Sequence, residues 1–166
     1  MSIRPYDSYV LSAADWMGEV PAHWDCRRSD HFVRTQAAKV EPAELQGQPV
    51  FHYSIPVVQM TGTGQYEDGT DLDSTKLRID EQQVLVSKLN PRKGTVCIAE
   101  PRDVLTVCSS EFVSLVPRNV ELKFCFYVVS SEPFRQRLEA LVESATRSHQ
   151  RVQPSDIQKF HWAVPP

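Results

Sequence analysis

Residues 85–94 read LVSKLNPRKG, and the organisation of the chain is read outward from this stretch. A β-rich run delivers Ser87, Lys88, Asn90, Arg92 and Lys93 onto a turn that Pro91 punctuates and Gly94 closes. Three cations and two polar side chains stand together there with no carboxylate among them, a composition suited to an anion such as phosphate. Strand-like runs flank the turn, QQVLVSK before it and TVCIAE after it, and VLTVC and EFVSLVP supply two more strands. VFHYSIPVVQM is rich in β-branched and aromatic residues and reads as another, with Pro56 marking an edge or a bulge. TGTGQYEDGTDLDS, dense in Gly, Asp and Thr, is expected to be a loop.

Helical signals come later. LKFCFYVVS is a short buried segment whose periodicity does not settle its type. After Ser131, Pro133 suits a first helical turn, and Phe134, Leu138, Leu141, Val142 and Ala145 share one face. Arg135, Arg137, Glu139 and Glu143 take the other, as in a helix packed on a sheet. PSDI reads as a helix start and FHWAVP as a last strand or extended segment. Near the N-terminus, Tyr6, Tyr9, Trp16 and Trp24 are interrupted by Pro5, Gly18 and Pro21, the pattern of an arm anchored across the body by its aromatics. His23 has no ligand-type neighbour and is read as structural. AAKVEPAELQGQP is a polar connection or a short helix ended by Gly47 and Pro49.

At 166 residues and 41% hydrophobic content the chain fits one domain with a real core. No apolar run is long enough to span a bilayer, and Asp7 and Asp15 break any signal-peptide core, so a cytoplasmic location is expected. Cys26, Cys97, Cys108 and Cys125 form no C-x-x-C pair, and the last three lie in apolar runs as buried, reduced thiols. No P-loop, H-E-x-x-H or G-x-S-x-G is present, and TGTGQY lacks the third glycine of a dinucleotide fingerprint. Glu67, Asp68, Asp71, Asp73, Asp80 and Glu81 lack the alternation of a calcium loop and read as a solvated acidic stretch. Nothing pairs Cys108 with His149 or His161 as a nucleophile and base, so the chain is expected to perform no chemistry itself. A net charge of −3 and a pI of about 5.9 would ordinarily count against nucleic acid. The acidic residues concentrate within residues 67–81, so a basic face is compatible with that total.

A second polar and cationic cluster follows the late helix: Thr146, Arg147, Ser148, His149, Gln150 and Arg151. Arg147 suits a helix C-terminus, where a cation favours the dipole, but that does not account for Ser148, Gln150 and Arg151. Arg reads guanine, Gln reads adenine, and Ser or Thr reads either or holds phosphate. Generic polar loops carry the same residues, and composition alone leaves the two readings open.

Beyond composition, YDSYVLSAADWMGEVPAHW, YSIPVVQMTGTGQYEDGTDLDSTK, LVSKLNPRKG, SSEFVSLVP and ATRSHQRVQPSDI, ending in VPP, occur in an order that resembles the specificity subunit of type I restriction-modification systems. The similarity runs from about Tyr6 to Pro166, and the W-x-G-E-V-P-x-H-W arm with the L-V-S-K-L-N-P-R-K and S-S-E-F-V motifs is specific in combination. The resemblance implies an α/β (α+β) fold: one target-recognition domain with a mixed, curved β-sheet, a packed C-terminal helix and DNA-facing loops. LKFCFYVVS would then be helical, residues 1–24 an N-terminal arm and residues 25–166 the recognition domain.

In that family the domain reads one half of a split double-stranded target and is not catalytic. The implied partners are DNA, methyltransferase subunits that use S-adenosylmethionine, and a motor-nuclease subunit that uses ATP. This chain would bind no cofactor of its own, the S-adenosylmethionine, ATP and Mg belonging to the partners, and no membrane. Lys88, Asn90, Arg92 and Lys93 would face the duplex, with Asn90 or Arg92 as base readers, and Thr146, Arg147, Ser148, His149, Gln150 and Arg151 would form the other jaw. Gln59, Thr61, Thr63, Gln65 and Lys76 are further candidates, while Leu85, Val86, Phe112, Val113 and Leu115 are core. Ser109, Ser110 and Glu111 stand between sheet-edge structure and the DNA face. Full members carry two such domains separated by long helices. The one domain here is thus expected to be half of a subunit, or a remnant that docks on methyltransferase or specificity subunits without binding DNA tightly.

Overall fold

The computed structural model describes residues 5–36, 38–142 and 150–166. The chain opens with a hairpin, β1 (Tyr9–Leu11) paired to β2 (Glu19–Pro21), whose connection carries the 3₁₀ turn Asp15–Met17. Three short strands follow, β3 (Asp25–Arg28), β4 (Val33–Arg34) and β5 (Lys39–Val40), and then one turn of helix, α1 (Pro42–Leu45). The body continues through β6 (Pro49–Tyr53), α2 (Ile55–Thr61), β7 (Gln65–Asp68), β8 (Lys76–Arg78), β9 (Gln83–Ser87), β10 (Val96–Ala99), β11 (Leu105–Ser109) and β12 (Phe112–Pro117). It ends with α3 (Leu122–Ser130), α4 (Glu132–Ala140), α5 (Pro154–Gln158) and β13 (His161–Val164).

Two principal sheets carry this order. One is antiparallel, with strands in the sequence β10-β9-β12-β4. The other is mixed, β5-β8-β11-β6-β7, and its parallel pair is β6 with β11. The expected mixed sheet is therefore present and is joined by a second, wholly antiparallel one. The strand runs either side of NPRKG are β9 and β10, and VLTVC and EFVSLVP are β11 and β12.

Burial explains why β9 has no polar face. Val84 and Val86 point to a core shared with Cys125 and Val128 of α3, Phe134 and Leu138 of α4, Trp162 of β13, and Phe32 and Phe160, which immediately precede β4 and β13. Leu85 points the other way, to Phe51, Tyr53, Val58, Ile79, Cys108 and Phe112 of the mixed-sheet side. A strand covered on both faces reads as a continuous apolar run rather than as an alternation. The polar residues are at its ends: the Gln83 amide oxygen accepts from the buried Ser114 hydroxyl on β12, and Ser87 Oγ donates to Leu89 O at 3.1 Å.

Three expectations are corrected. VFHYSIPVVQM is a strand only as far as Tyr53. Ser54 Oγ accepts from Val57 N–H at 3.4 Å, Pro56 lies in the first helical turn, and Gly62 ends α2 in the left-handed region at φ 75°. Pro56 is thus a helix-start proline rather than a sheet-edge one. Within the stretch read as a loop, residues 65–68 form β7 and Gly69–Asp71 a 3₁₀ turn. β7 is an edge strand with mostly exposed side chains, so its composition carries no strand signal. The late helix, expected to reach Ala145, is α4 and ends at Ala140, with Glu143 and Ala145 outside the described residues.

The tryptophans of the N-terminal segment pack on the body, whereas Tyr6 and Tyr9, expected to anchor it too, stay exposed. Trp16 packs edge-on against Phe134 and Phe160 and donates its indole N–H to His161 O at 2.6 Å. Trp24 meets Phe124, and His23 lies against Tyr6 with the rings tilted. Trp162 is fully buried against Phe32, Phe124 and Phe160. Trp162→Ala is expected to lower unfolding stability by about 3–5 kcal/mol, read from urea denaturation midpoints.

Candidate nucleic-acid interface

The register of the strands brings distant loops to one edge of the molecule. Ser87 at the end of β9 lies opposite Phe112 at the start of β12, and β11 ends three residues earlier at Ser109. In the mixed sheet, Ser109 lies opposite Lys76, Cys108 opposite Tyr53, and His52 opposite Gln65. The NPRKG turn, the β11–β12 turn, α2 and the segments entering β7 and β8 therefore share that edge.

The NPRKG turn is built rigidly. Asn90 has φ 47°, among described residues the one non-glycine with positive φ, a conformation asparagine tolerates better than most. Gly94 takes the left-handed region at φ 57° and closes the 3₁₀ turn Pro91–Lys93, its N–H donating to Pro91 O at 2.9 Å. Lys93 N–H donates to Asn90 O at 2.8 Å. From α4, Arg135 donates to Arg92 O at 3.1 Å and is itself held by Glu132 and Glu139. Sequence alone placed Arg135 on the polar face of a helix, and its role as a buttress depends on a fold that sets α4 beside the turn.

On this support Arg92 and Lys93 are exposed, and no acidic side chain among the described residues pairs with either. Lys88 differs. Its ammonium lies half-buried, 4.0 Å from Glu111 Oε2 on the β11–β12 turn, so the cluster that lacks a carboxylate in sequence acquires one in space. Asn90 is half-buried with its side-chain oxygen enclosed and unbonded, a position poorly suited to reading a base directly.

The second cluster is adjacent where it is described. Asn90 N–H donates to Gln150 O at 2.8 Å, Val152 N–H to Lys88 O at 3.1 Å, and Leu89 bridges Arg151 in antiparallel fashion. Arg151 is exposed and donates to Glu111 Oε1 at 2.9 Å. Thr146, Arg147, Ser148 and His149 lie outside the described residues.

Gln59 joins the same edge. Its amide donates to Thr95 Oγ1 at 2.9 Å, and it lines with Lys93, Gly94 and Thr95 an open cleft of about 420 Å³. Thr61 caps its own helix, donating to Val57 O at 2.9 Å and accepting from Thr63 N–H at 3.2 Å. Gln65 is exposed but bonded to Glu67 Oε1 at 2.7 Å. Ser109 accepts from Glu111 N–H at 3.2 Å and shapes the β11–β12 turn.

Lys76 does not reach the surface. It is 5% exposed, with its ammonium donating to Ser74 O at 2.8 Å and Ser74 Oγ at 2.7 Å. An expected DNA-facing cation is thus an internal group, because β8 lies between β5 and β11 and its pleat turns Lys76 inward. Its neighbours are His52 and Glu67, with His52 Nδ1 3.0 Å from Glu67 Oε2. Burial pulls His52 below its ordinary value in spite of the Glu67 contact. The ring is therefore neutral and donates from Nδ1. Burial alone would raise Glu67, but hydrogen bonds from Gln65 and His52 and the charge of Lys76 hold it below the usual carboxylate range.

Among the described residues no group of three or more His, Cys, Asp or Glu side chains is placed to hold a metal. Cys97, Cys108 and Cys125 are buried free thiols. Burial pushes the Cys108 thiol far up, so it is no nucleophile at neutral pH. No helix among the described residues is long and apolar enough to cross a membrane.

Solved structures from type I restriction-modification systems share this arrangement. A chain from a type I restriction-modification system, solved in a study of complex assembly and conformational transition, superposes with a TM-score of 0.73 at 17% identity, covering 89% of this chain and 39% of that one. The fold is that of a type I specificity subunit. The HsdS subunit from Thermoanaerobacter tengcongensis superposes with a TM-score of 0.67 at 16% identity, covering 89% and 39% of the two chains. The type I S subunit from M. genitalium gives 0.53 at 16% identity, covering 85% and 34%. This chain thus spans about two fifths of the length of the specificity subunits it matches. No family model and no curated protein matches the sequence.

Within the specificity-subunit fold the His52–Glu67–Lys76 group underlies the candidate edge, and its titration is measurable. A depressed His52 means that the unfolded chain takes up the proton first, so stability falls as pH drops below about 6.5. The depressed Glu67 adds a further fall below the ordinary carboxylate range. Urea midpoints followed across that pH range are expected to show the first decline in the wild type and to lose it in His52→Gln.

Proposed function

We propose that this chain recognises double-stranded DNA in a sequence-dependent manner, as the reader of one half of a bipartite target in a type I restriction-modification specificity subunit. The observation that carries the reading is the rigid NPRKG turn. It presents Arg92 and Lys93 to solvent without acidic partners, beside Gln150, Arg151 and Gln59, in a chain of net charge −3. A cation on a fixed backbone neutralises phosphate or reads a guanine edge at low ordering cost. The specificity-subunit fold supports the same assignment.

In this reading the chain itself is not catalytic. It directs methyltransferase subunits using S-adenosylmethionine and a motor-nuclease subunit using ATP and Mg, and it works in the cytoplasm. A second reading rests on the β1–β2 hairpin, where Val10 and Leu11 stand exposed on a strand with one free edge. Such a surface suits docking on another subunit of the complex, without tight DNA binding by this chain. Co-purification with a methyltransferase subunit and no shift of any duplex would favour it.

Binding to duplex DNA is expected to weaken steeply with salt, because each neutralised phosphate releases condensed counterions. Selection from random duplexes is expected to enrich one short half-site, and equal retention of all sequences would end the specificity reading. Arg92→Ala is expected to cost about 1–3 kcal/mol and relax one base position if Arg92 reads a base. A Lys93→Ala variant is expected to weaken all duplexes alike and lower the salt slope by about 0.9.

A further inference from the structure

We propose that Glu111 is a shared counter-ion for this surface: a duplex phosphate takes Arg151 from it, and Lys88 stays behind to hold its charge. The inference rests on the DNA-binding reading and changes the part assigned to Lys88. Glu111 is fixed at both ends of its peptide unit, its N–H on Ser109 Oγ at 3.2 Å and its C=O accepting from Lys88 N–H at 2.9 Å. Its carboxylate therefore hangs at a set point between the NPRKG turn and the 150–152 segment.

The two cations on that carboxylate are not equivalent. Arg151 bonds Oε1 at 2.9 Å with a side chain 57% exposed. Lys88 is 18% exposed and stops 4.0 Å from Oε2, an enclosed oxygen with no hydrogen-bond partner. Charge-assisted N–H···O bonds close at about 2.8 Å, so Lys88 is short of contact by roughly 1 Å. Arg151 is at the surface and free to swing onto an approaching phosphate. Its departure alone would leave the Glu111 carboxylate, 27% exposed, without a compensating cation, which is strongly unfavourable. A small movement of the Lys88 ammonium onto Oε2 removes that penalty and gives the orphaned oxygen its donor.

Two consequences follow from the charges. Glu111 competes with phosphate for Arg151 and repels the backbone of any duplex, which lowers affinity for sequences that offer no base contacts elsewhere. Lys88 contributes to DNA binding from inside, by freeing Arg151, and makes no phosphate contact of its own.

The test is a fluorescence-anisotropy titration of a random-sequence duplex pool across a salt series. It uses the wild-type chain, Glu111→Gln, Lys88→Gln, Arg151→Ala and the Lys88→Gln/Glu111→Gln double variant, with thermal unfolding midpoints taken for each. Glu111→Gln keeps the side-chain shape and an acceptor for Arg151, and it is expected to bind the pool roughly threefold to tenfold more tightly. Lys88→Gln is expected to bind more weakly with an unchanged salt slope, and the double variant to recover the Glu111→Gln affinity. Arg151→Ala is expected to lower the slope by about 0.9. A Lys88→Gln slope reduced by about 0.9 with no recovery in the double variant would place Lys88 on a phosphate and overturn the proposal. So would unchanged or weaker binding by Glu111→Gln. Failure of the wild type to bind any duplex at low salt would instead remove the DNA-binding reading, and this inference with it.

Discussion

Strand β9 is buried on both faces, and the rest of the structure is arranged around that constraint. Val84 and Val86 need the helices, Leu85 needs the mixed sheet, and Gln83 needs the Ser114 hydroxyl. A slip of one residue would send Gln83 into the aromatic core beneath α3 and α4 and turn the valines onto the other face. The register is consequently locked, and with it the point at which the chain leaves the sheet. Lys88 is the first residue past that point, so the core determines where the NPRKG turn stands.

The legible parts of the sequence were those in which burial and local chemistry agree. LVSKLNPRKG announced a strand and a turn because its apolar run is core and its Pro and Gly are turn-formers. α2 was hidden because its β-branched residues suit a strand as well as a short helix, and the S-I-P start outweighs them only when Gly62 is read as its stop. β7 was hidden because an edge strand with exposed side chains owes its existence to backbone pairing with β6. At the candidate site, the exposure of Arg92 and Lys93 was legible from composition, since an exposed turn leaves charge where sequence puts it. Lys76 was misplaced for the complementary reason: inward or outward is set by the pleat, which two residues of local context do not reveal. The pairing of Glu111 with Lys88 and Arg151 joins three segments, and only the tertiary structure brings them together.

The charge balance has a similar logic. Several acidic residues are paired with cations locally: Asp80 with Arg78, Glu81 with Arg34, and Asp30 with Arg28. These pairs cancel at short range, and their field decays within a Debye length of about 8–10 Å. What an approaching polyanion meets at the turn is the remainder, Arg92 and Lys93, whatever the sign of the total.

β3 and β13 form their own two-stranded sheet, with Cys26 opposite Ala163 and Asp25 opposite Val164, and the Trp16 indole fastens the N-terminal hairpin to the same strand. The path into the body and the path out of it are thus neighbours. Tension applied at Asp25 and Val164, which lie opposite each other, therefore peels β13 from β3 one pair at a time and is taken up there before it reaches the NPRKG turn.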